Sequence, residues 1–190
     1  MRHPMQMHHI SRFPWFNRRR LQEEVATDTI FMNVTGKDGS TCGQVHLGLM
    51  SRMINFHPMT AETGAEVTKT HQDFMRCEGA PAGLHRDLAP EIKVDPITDI
   101  NRKMMVKDTW SEAGRPNENP VEALGVNPLK RGVQALMNRT GAANNSWSWA
   151  CKHIADVNNM CASPALGWKT PISVRHGHTP GISAFLQCQH

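Results

Sequence analysis

The sequence predicts a single α/β domain built around a mixed β-sheet. An apolar, β-branched run near the amino end is typical of a strand that is buried on both faces. Two alternating segments follow it behind turn signals, and helical patterns then alternate with short strand candidates. A chain of 190 residues, 39% of them hydrophobic, is of the right size for one domain with its own core.

Three consecutive strands are predicted to form an antiparallel meander. Residues 25–34 are mostly β-branched and apolar, and residues 36–39, Gly-Lys-Asp-Gly, are typical of a hairpin turn. Residues 41–49 and 52–57 then alternate between apolar and polar side chains, and Pro58 is expected to close the third strand. The first strand should lie in the centre of the sheet, because its residues are apolar on both sides.

Helices and short strands alternate in the middle of the chain. Thr63 and Glu66 have the spacing of a capping box, which predicts a helix over residues 63–77. A strand is predicted over residues 83–87, and a fifth strand over residues 105–110. The inward positions expected between these limits are Val67, Phe74, Cys77, Ile97, Ile100 and Met104.

Two more helices complete the predicted order β-β-β-α-β-α-β-α-α. The first has an apolar face that begins at Leu129 and ends near Gly141, and Pro128 should kink or restart it. The second carries a stripe from Trp147 to Cys161. Residues from Gly167 onward are expected to form loops. The predicted organisation is therefore a basic arm (1–22), a core (23–165) and a loop-rich tail (166–190).

The charge of the chain favours a polyanionic partner. The net charge is +4, and the amino-terminal arm contains the run Arg18, Arg19, Arg20. Such an arm could contact phosphates. A solvated tail on an ordinary basic protein is an equally good interpretation of the same residues.

The cysteines and histidines do not form a recognisable metal or disulfide pattern. Five cysteines are scattered without a Cys-x-x-Cys pair, which favours reduced thiols and an intracellular setting. His176 with His178, and Cys151 with His153 and Cys161, lack paired ligand spacing, so no zinc site is expected. No apolar run approaches the length of a membrane span, so no membrane partner is predicted.

Three acidic residues stand out as candidates for metal-dependent chemistry. Asp28 lies inside the first apolar run, where a carboxylate is costly unless it is paired or metal-bound. Asp87 ends the fourth predicted strand, and Glu122 begins the segment after a Gly/Pro-rich loop. Two divalent cations would relieve the repulsion among three converging carboxylates, and such a pair can drive phosphodiester chemistry. Solvated carboxylates are the alternative interpretation.

Several short motifs stand in a fixed order along the chain. They are Glu24-Val25-Ala26-Thr27-Asp28-Thr29, Gly79-Ala80-Pro81 with Arg86-Asp87, Gly114-Arg115-Pro116-Asn117-Glu118-Asn119-Pro120-Val121-Glu122, Met137-Asn138-Arg139-Thr140-Gly141 and Leu166-Gly167-Trp168-Lys169-Thr170-Pro171. Each is weak alone, but their order and spacing together are specific, and the chain resembles the integrase catalytic core of copia-type retrotransposon polyproteins.

The resemblance implies a ribonuclease-H-like fold with an Asp-Asp-Glu triad at Asp28, Asp87 and Glu122. Glu122 follows Asp87 by 35 positions, a spacing typical of retroviral-type integrases. It also implies two Mg²⁺ or Mn²⁺ ions, 3′-end processing and strand transfer, with element ends and target DNA as partners, and a homo-oligomer acting in the nucleus. The candidates for DNA contact are Arg18, Arg19, Arg20, Arg115, Asn119 and Lys130.

Departures from the family pattern leave alternatives open. Ala123 and Leu124 follow the glutamate where a basic residue is common, and Gly125 and Pro128 should weaken the helix that aims Glu122. The sequence therefore predicts feeble strand transfer. An inactive retroelement fragment that only binds nucleic acid is the main alternative, and a different nuclease of the same fold is a third.

Overall fold

The computed structural model describes residues 19–86, 95–111 and 120–181. The order of elements is the predicted one, with a short helix added near the carboxyl end. The elements are β1 (Glu24–Phe31), β2 (Cys42–Gly48), β3 (Ile54–Met59), α1 (Gly64–Cys77), β4 (Gly83–Arg86), α2 (Asp95–Lys103), β5 (Lys107–Trp110), α3 (Asn127–Thr140), α4 (Trp147–Met160) and α5 (Pro171–His176).

The five strands form one mixed sheet in the order β3-β2-β1-β4-β5. β1 pairs antiparallel with β2, and β2 pairs antiparallel with β3, because tight turns join them. β1 pairs parallel with β4, and β4 pairs parallel with β5, because α1 and α2 supply the crossovers. The predicted fold class, a ribonuclease-H-like mixed sheet with its first three strands antiparallel, is confirmed.

Apolar side chains fill both faces of the sheet. On one face, Ala26 and Ile30 of β1 pack with residues of β2, β3, α3 and α4. On the other face, Val25 packs with residues of α1 and α2, including Phe74 and Ile97. Alternate residues of one strand point to opposite faces, so β1 contributes to both cores. This explains why both alternating sets of positions in β1 carry apolar residues, and why β1 lies in the centre of the sheet.

Local signals set most helix limits. The Thr63 hydroxyl accepts a hydrogen bond from the Glu66 N–H, so the predicted cap is present. Gly141 has a left-handed conformation (φ 65°) and ends α3. Cys77 and Cys161 are exposed, so their predicted inward positions were wrong. Both lie at the carboxyl end of a helix, where the apolar stripe leaves the core.

Pro58 was expected to close the third strand, but it lies within β3. It pairs with Gly43 of β2. β3 is an edge strand of the sheet, where a residue without an N–H can be accommodated.

None of the helices in the described ranges has the length and apolarity that crossing a bilayer requires.

The loops predicted after Gly167 contain the helix α5. Thr170 and Ser173 form a capping box, and Pro171 occupies the first turn. This start signal is recognisable in the sequence, but a helix of only six residues is too short to show an apolar periodicity. α5 is anchored by Arg175, whose Nε donates to Glu23 Oε1 at 2.7 Å. Both side chains are almost completely buried.

Candidate functional site

Asp28 lies in the middle of the central strand and is half-buried. It follows Ala26 and precedes Ile30 by two residues, so its side chain belongs to the same face of the sheet as theirs. Its cross-strand neighbour on β2 is Val45. The Asp28 Oδ1 accepts a hydrogen bond of 2.8 Å from the Thr29 N–H, which helps to orient the carboxylate.

Glu122 begins a π-helical turn, Glu122–Val126, called here the Glu122 turn. Glu122 itself is exposed, whereas Val121 and Gly125 are buried. A Cβ on Gly125 would lie 3.4 Å from Val45 Cγ1 and 3.7 Å from Leu47 Cβ, so the turn rests directly on β2. Because Val45 is the neighbour of Asp28, the elements that carry Asp28 and Glu122 converge on one face of the sheet.

Gly125 and Pro128 were expected to weaken the helix that carries Glu122, and the structure has a π-helical turn there in place of regular α-helix. Backbone angles at Val121, Val126 and Asn127 are all right-handed helical, so the chain stays helical from the Glu122 turn into α3. The Asn127 N–H donates to the Glu122 carbonyl in the wider π spacing. Pro128 lies just beyond the π-helical turn, inside this continuous helix, and has no N–H to donate. The predicted restart near Pro128 is therefore a change from π-helical to α-helical spacing without a break in the helix.

Asp87 lies outside the described residues, directly after the end of β4 at Arg86. Arg86 is buried, and its Nε and Nη2 donate to the two carboxylate oxygens of Asp108 at 3.1 and 2.7 Å. Its guanidinium also stacks on Trp110, 3.9 Å from the ring centroid. Burial lowers the pKa of Arg86, while the Asp108 carboxylate opposes that shift. This arrangement fixes the end of β4 against β5.

Three of the six predicted DNA-contact residues lie in the described ranges. An Arg19 Nη2 pairs with His176 Nδ1 at 2.9 Å, and the Arg20 guanidinium donates to the carbonyls of Met104 and Met105. Lys130 is exposed on α3 and borders a cleft of about 420 Å³ beside the end of β1. Arg18, Arg115 and Asn119 lie outside the described residues, so DNA contact by all six stays a prediction.

The carboxylates suit a hard divalent cation, because Mg²⁺ prefers oxygen ligands. Asp28 and Glu122 supply such oxygens from converging elements. Within residues 19–86, 95–111 and 120–181, no three His, Cys, Asp or Glu side chains form a metal-binding group. Since Asp87 falls between the first two of these ranges, the complete triad stays a prediction.

The rival zinc residues do not converge in one place. Cys151 is buried in the core of α4, and burial raises its pKa to about 12, as for an inert core thiol. Cys161 is exposed beyond the other end of that helix. The His176 and His178 rings stack with centroids 5.8 Å apart, and His176 also lies 3.7 Å from a Glu78 oxygen.

Sequence reasoning missed a cluster of three histidines on the α1 side of the sheet, of which His46 and His71 are buried and His57 is half-buried. His46 is fully buried, stacks on Phe74 at 4.4 Å, and lies 5.3 Å and 6.2 Å from His57 and His71. Burial lowers the pKa of all three, that of His71 to about 4. His46 lies at one of the alternating positions of β2. That alternation was the one sequence signal that could have predicted its inward orientation.

The sheet order, its mixed pairing and the helices on both faces define a ribonuclease-H-like fold of the integrase-core kind. Among solved structures, the HTLV-2 integrase catalytic core domain in complex with magnesium (trimeric form) matches with a TM-score of 0.67 and 12% identity. The match covers 82% of this chain and 97% of that one. The dimeric form of the same domain gives a TM-score of 0.64 and 13% identity.

A larger assembly gives the same result. A chain of the simian T-cell lymphotropic virus intasome, solved in complex with PP2A regulatory subunit B56 gamma, matches with a TM-score of 0.67 and 15% identity. That match covers 83% of this chain and 56% of the intasome chain. No protein-family model matches the sequence, and no curated protein matches it significantly. At these identities the likeness establishes the fold.

Proposed function

We propose that this chain is the catalytic core of a DNA integrase that joins a DNA 3′ end to target DNA by metal-dependent polynucleotidyl transfer. One observation carries the proposal above all. The Glu122 turn rests on Val45, the strand neighbour of Asp28, in the fold of integrase catalytic cores. Two of the three predicted acids are thereby carried by adjoining elements.

The third acid, Asp87, is included in the proposal because of the register between β1 and β4. The last pair between these parallel strands is Thr27 with Arg86. Asp28 and Asp87 each follow that pair by one residue in the sequence. Residues at the same register of neighbouring parallel strands point to the same face. The proposal requires the pairing of β1 with β4 to extend by one more residue pair, Asp28 with Asp87.

Each acid has a distinct part in the proposed reaction. Asp28 and Asp87 would hold cations from the sheet, and Glu122 would do so from a turn that DNA can reach because its side chain is exposed. A pair of Mg²⁺ or Mn²⁺ ions held there supplies activation of the attacking oxygen and stabilisation of the leaving oxygen. The Thr29 N–H holds the Asp28 carboxylate while DNA binds.

The partners follow from the same proposal. DNA would be held by Arg18, Arg19, Arg20, Arg115, Asn119 and Lys130. Lys130 borders the cleft beside β1, on the helix that continues from the Glu122 turn. A homo-oligomer is proposed because the similar integrase core was solved in dimeric and trimeric forms. The ordered motifs, including Gly114 to Glu122, support a copia-type element as the origin, and this setting implies action in the nucleus.

The test is metal-dependent joining of an oligonucleotide 3′ end to a target duplex. Asp28→Asn should reduce joining at least about a hundredfold, since it removes charge from the proposed cation site. Asp99→Asn makes the same chemical change on exposed α2 and should leave joining unchanged. Joining that survives Asp28→Asn refutes the triad. An unaltered chain that binds DNA but joins none of it with Mg²⁺ or Mn²⁺ supports the inactive-fragment alternative.

A further inference from the structure

A tight turn before α5 presents one tryptophan to solvent. Trp168 is 74% exposed and has a left-handed backbone conformation (φ 63°). Gly167, just before it, is also left-handed (φ 61°). A glycine adopts this conformation without cost, but a bulky aromatic residue there is an outlier. Such outliers persist where the surrounding structure imposes them, and they cluster at functional sites.

Hydrogen bonds within the turn impose this conformation. The Trp168 N–H donates to the Ser163 carbonyl at 2.9 Å, and the Ser163 N–H donates to the Lys169 carbonyl at 3.1 Å. The Gly167 N–H donates to the Pro164 carbonyl at 3.0 Å. The backbone on both sides of Trp168 is therefore fixed.

The turn is also anchored to the sheet. Thr170 caps α5, which begins one residue later. Arg175, at the other end of this helix, is buried, and its guanidinium donates to Glu23, Asn55 and Glu78. The exposed aromatic ring thus stands on a short, capped and buried support, and a rigid support lowers the entropy cost of binding a ligand.

The charge around the turn favours an anionic ligand. No Asp or Glu occurs from Val157 to the end of the chain, and Asp156 is the last acidic residue. Lys169 is exposed beside Trp168. The other exposed residues of the turn, Pro164, Ala165 and Gly167, are small and leave room beside the ring. An exposed aromatic face next to a lysine suits a nucleobase together with its phosphate.

We propose that the Trp168–Lys169 turn is a binding site for single-stranded DNA, in which Trp168 stacks on an unpaired base and Lys169 contacts an adjacent phosphate. The inference rests on the proposed function for the identity of the ligand as DNA. It adds to the proposed function a DNA contact that lies outside the acidic site. An unpaired base is required, since stacked bases inside a duplex do not expose their faces.

Fluorescence anisotropy with a labelled oligo-dT strand and a matched duplex, both in EDTA, tests the site independently of metal chemistry. Trp168→Ala should weaken single-strand binding about tenfold or more, whereas Trp168→Phe should retain most of it. Lys169→Gln should lower the salt slope by about one. Trp149→Ala is the matched control, because Trp149 is also exposed (53%) and has Lys37 near its ring. It should change binding less than twofold.

Trp168→Asn guards against misfolding, because asparagine tolerates the left-handed conformation. Its melting temperature should equal or exceed that of the unaltered chain, while single-strand binding falls as for Trp168→Ala.

Equal losses of affinity for single strand and duplex overturn the stacking site, as does a Trp168→Ala effect no larger than that of Trp149→Ala. A change of oligomer mass in Trp168→Ala with unchanged DNA affinity also overturns it and assigns the turn to a protein contact. Failure of the unaltered chain to bind either DNA overturns the proposed function as well, whereas intact binding without joining overturns the proposed function alone.

Discussion

Two carboxylates, one just before the central strand and one in its middle, have very different surroundings. Glu23, just before β1, is buried and accepts hydrogen bonds from Arg175 Nε, the Ser51 hydroxyl and the Ser51 N–H at 2.7–2.8 Å. Asp28, in the middle of the same strand, is half-buried and lies beside the exposed Glu122 turn. One acid is therefore tied into the fold, whereas the other stays partly exposed near the turn that carries Glu122.

The comparison shows that a carboxylate in an apolar strand context is not by itself a sign of catalysis. Both acids adjoin the same apolar run, and the sequence does not distinguish their roles. Their surroundings differ: Glu23 has a buried arginine of opposite charge, and Asp28 shares its face of the sheet with the turn that carries a second acid. Substitutions at the two positions should therefore affect different properties.

The largest effect on stability is expected from Glu23→Gln. Of the charged partners seen in the described part of the chain, it leaves the buried Arg175 guanidinium with Glu78, and breaking a buried ion pair costs about 3–5 kcal/mol. Urea unfolding measures the loss. Asp28→Asn is the matched control and should change the free energy of unfolding by less than about 1 kcal/mol. Equal losses in the two variants contradict the distinction, and Glu23→Leu combined with Arg175→Met should recover part of the loss.

Lowering the pH should destabilise the fold through the histidine cluster on the α1 side of the sheet. The pKa values of His46, His57 and His71 are lowered chiefly by burial, with a further contribution to His46 from Arg175. Asp73 and Glu78 oppose the shift at His57 while Lys152 adds to it, and at His71 the Asn101 hydrogen bond and Asp108 oppose it while Arg86 adds to it.

A histidine with a lowered folded pKa stabilises the fold fully above its unfolded pKa of about 6.5. That stability is lost as the pH falls below 6.5, at about 1.4 kcal/mol per pH unit for each histidine, until the folded pKa is reached. For His71 the loss should level off near pH 4. Unfolding titrations between pH 7 and pH 4 test this, and His71→Gln should reduce the slope. A stability independent of pH over this window contradicts the burial of neutral histidines.

Two glycines provide the smallest and most local test of the comparison. A Cβ on Gly48 would lie 2.6 Å from both Glu23 Oε2 and Ser51 Oγ, and would also collide with the Arg175 guanidinium. Gly48→Ala should therefore cost about 1–3 kcal/mol. A Cβ on Gly125 would meet Val121 and Val45 at 3.4 Å, close to ordinary contact. Gly125→Ala should be neutral within about 1 kcal/mol, because alanine also favours the helix. Thermal unfolding of both variants measures the two losses of stability. A larger loss for Gly125→Ala than for Gly48→Ala contradicts the distinction between the surroundings of Glu23 and those of Asp28.

The sheet could be predicted because its signals are local. The Gly-Lys-Asp-Gly turn, the alternation in β2 and the capping box of α1 each act within a few residues, and together they set the strand order. The same signals placed Asp28 in the central strand, next to a parallel fourth strand.

The rest depended on contacts between distant residues. The Arg175 side chain reaches Glu23 across 152 positions, and Arg86 meets Asp108 and Trp110 only because β4 and β5 pair. The Glu122 turn was missed for a different reason: Gly125 was judged by its helix propensity, whereas in the structure it is buried where the turn packs on β2. Tertiary contact overrides propensity at that position.

The ion pair between Glu23 and Arg175 also has a consequence for synthesis. A ribosome makes the amino end first, at about 5–20 residues per second. β1 can pair with β2 early, but Glu23 cannot meet its arginine until α5 has been made and released from the exit tunnel. The first strand of the sheet is thus completed by the last described helix, and this ion pair cannot form until α5 has left the exit tunnel. Contacts of such long range in sequence slow folding, so a protein shortened before α5 should accumulate as an open, protease-sensitive chain.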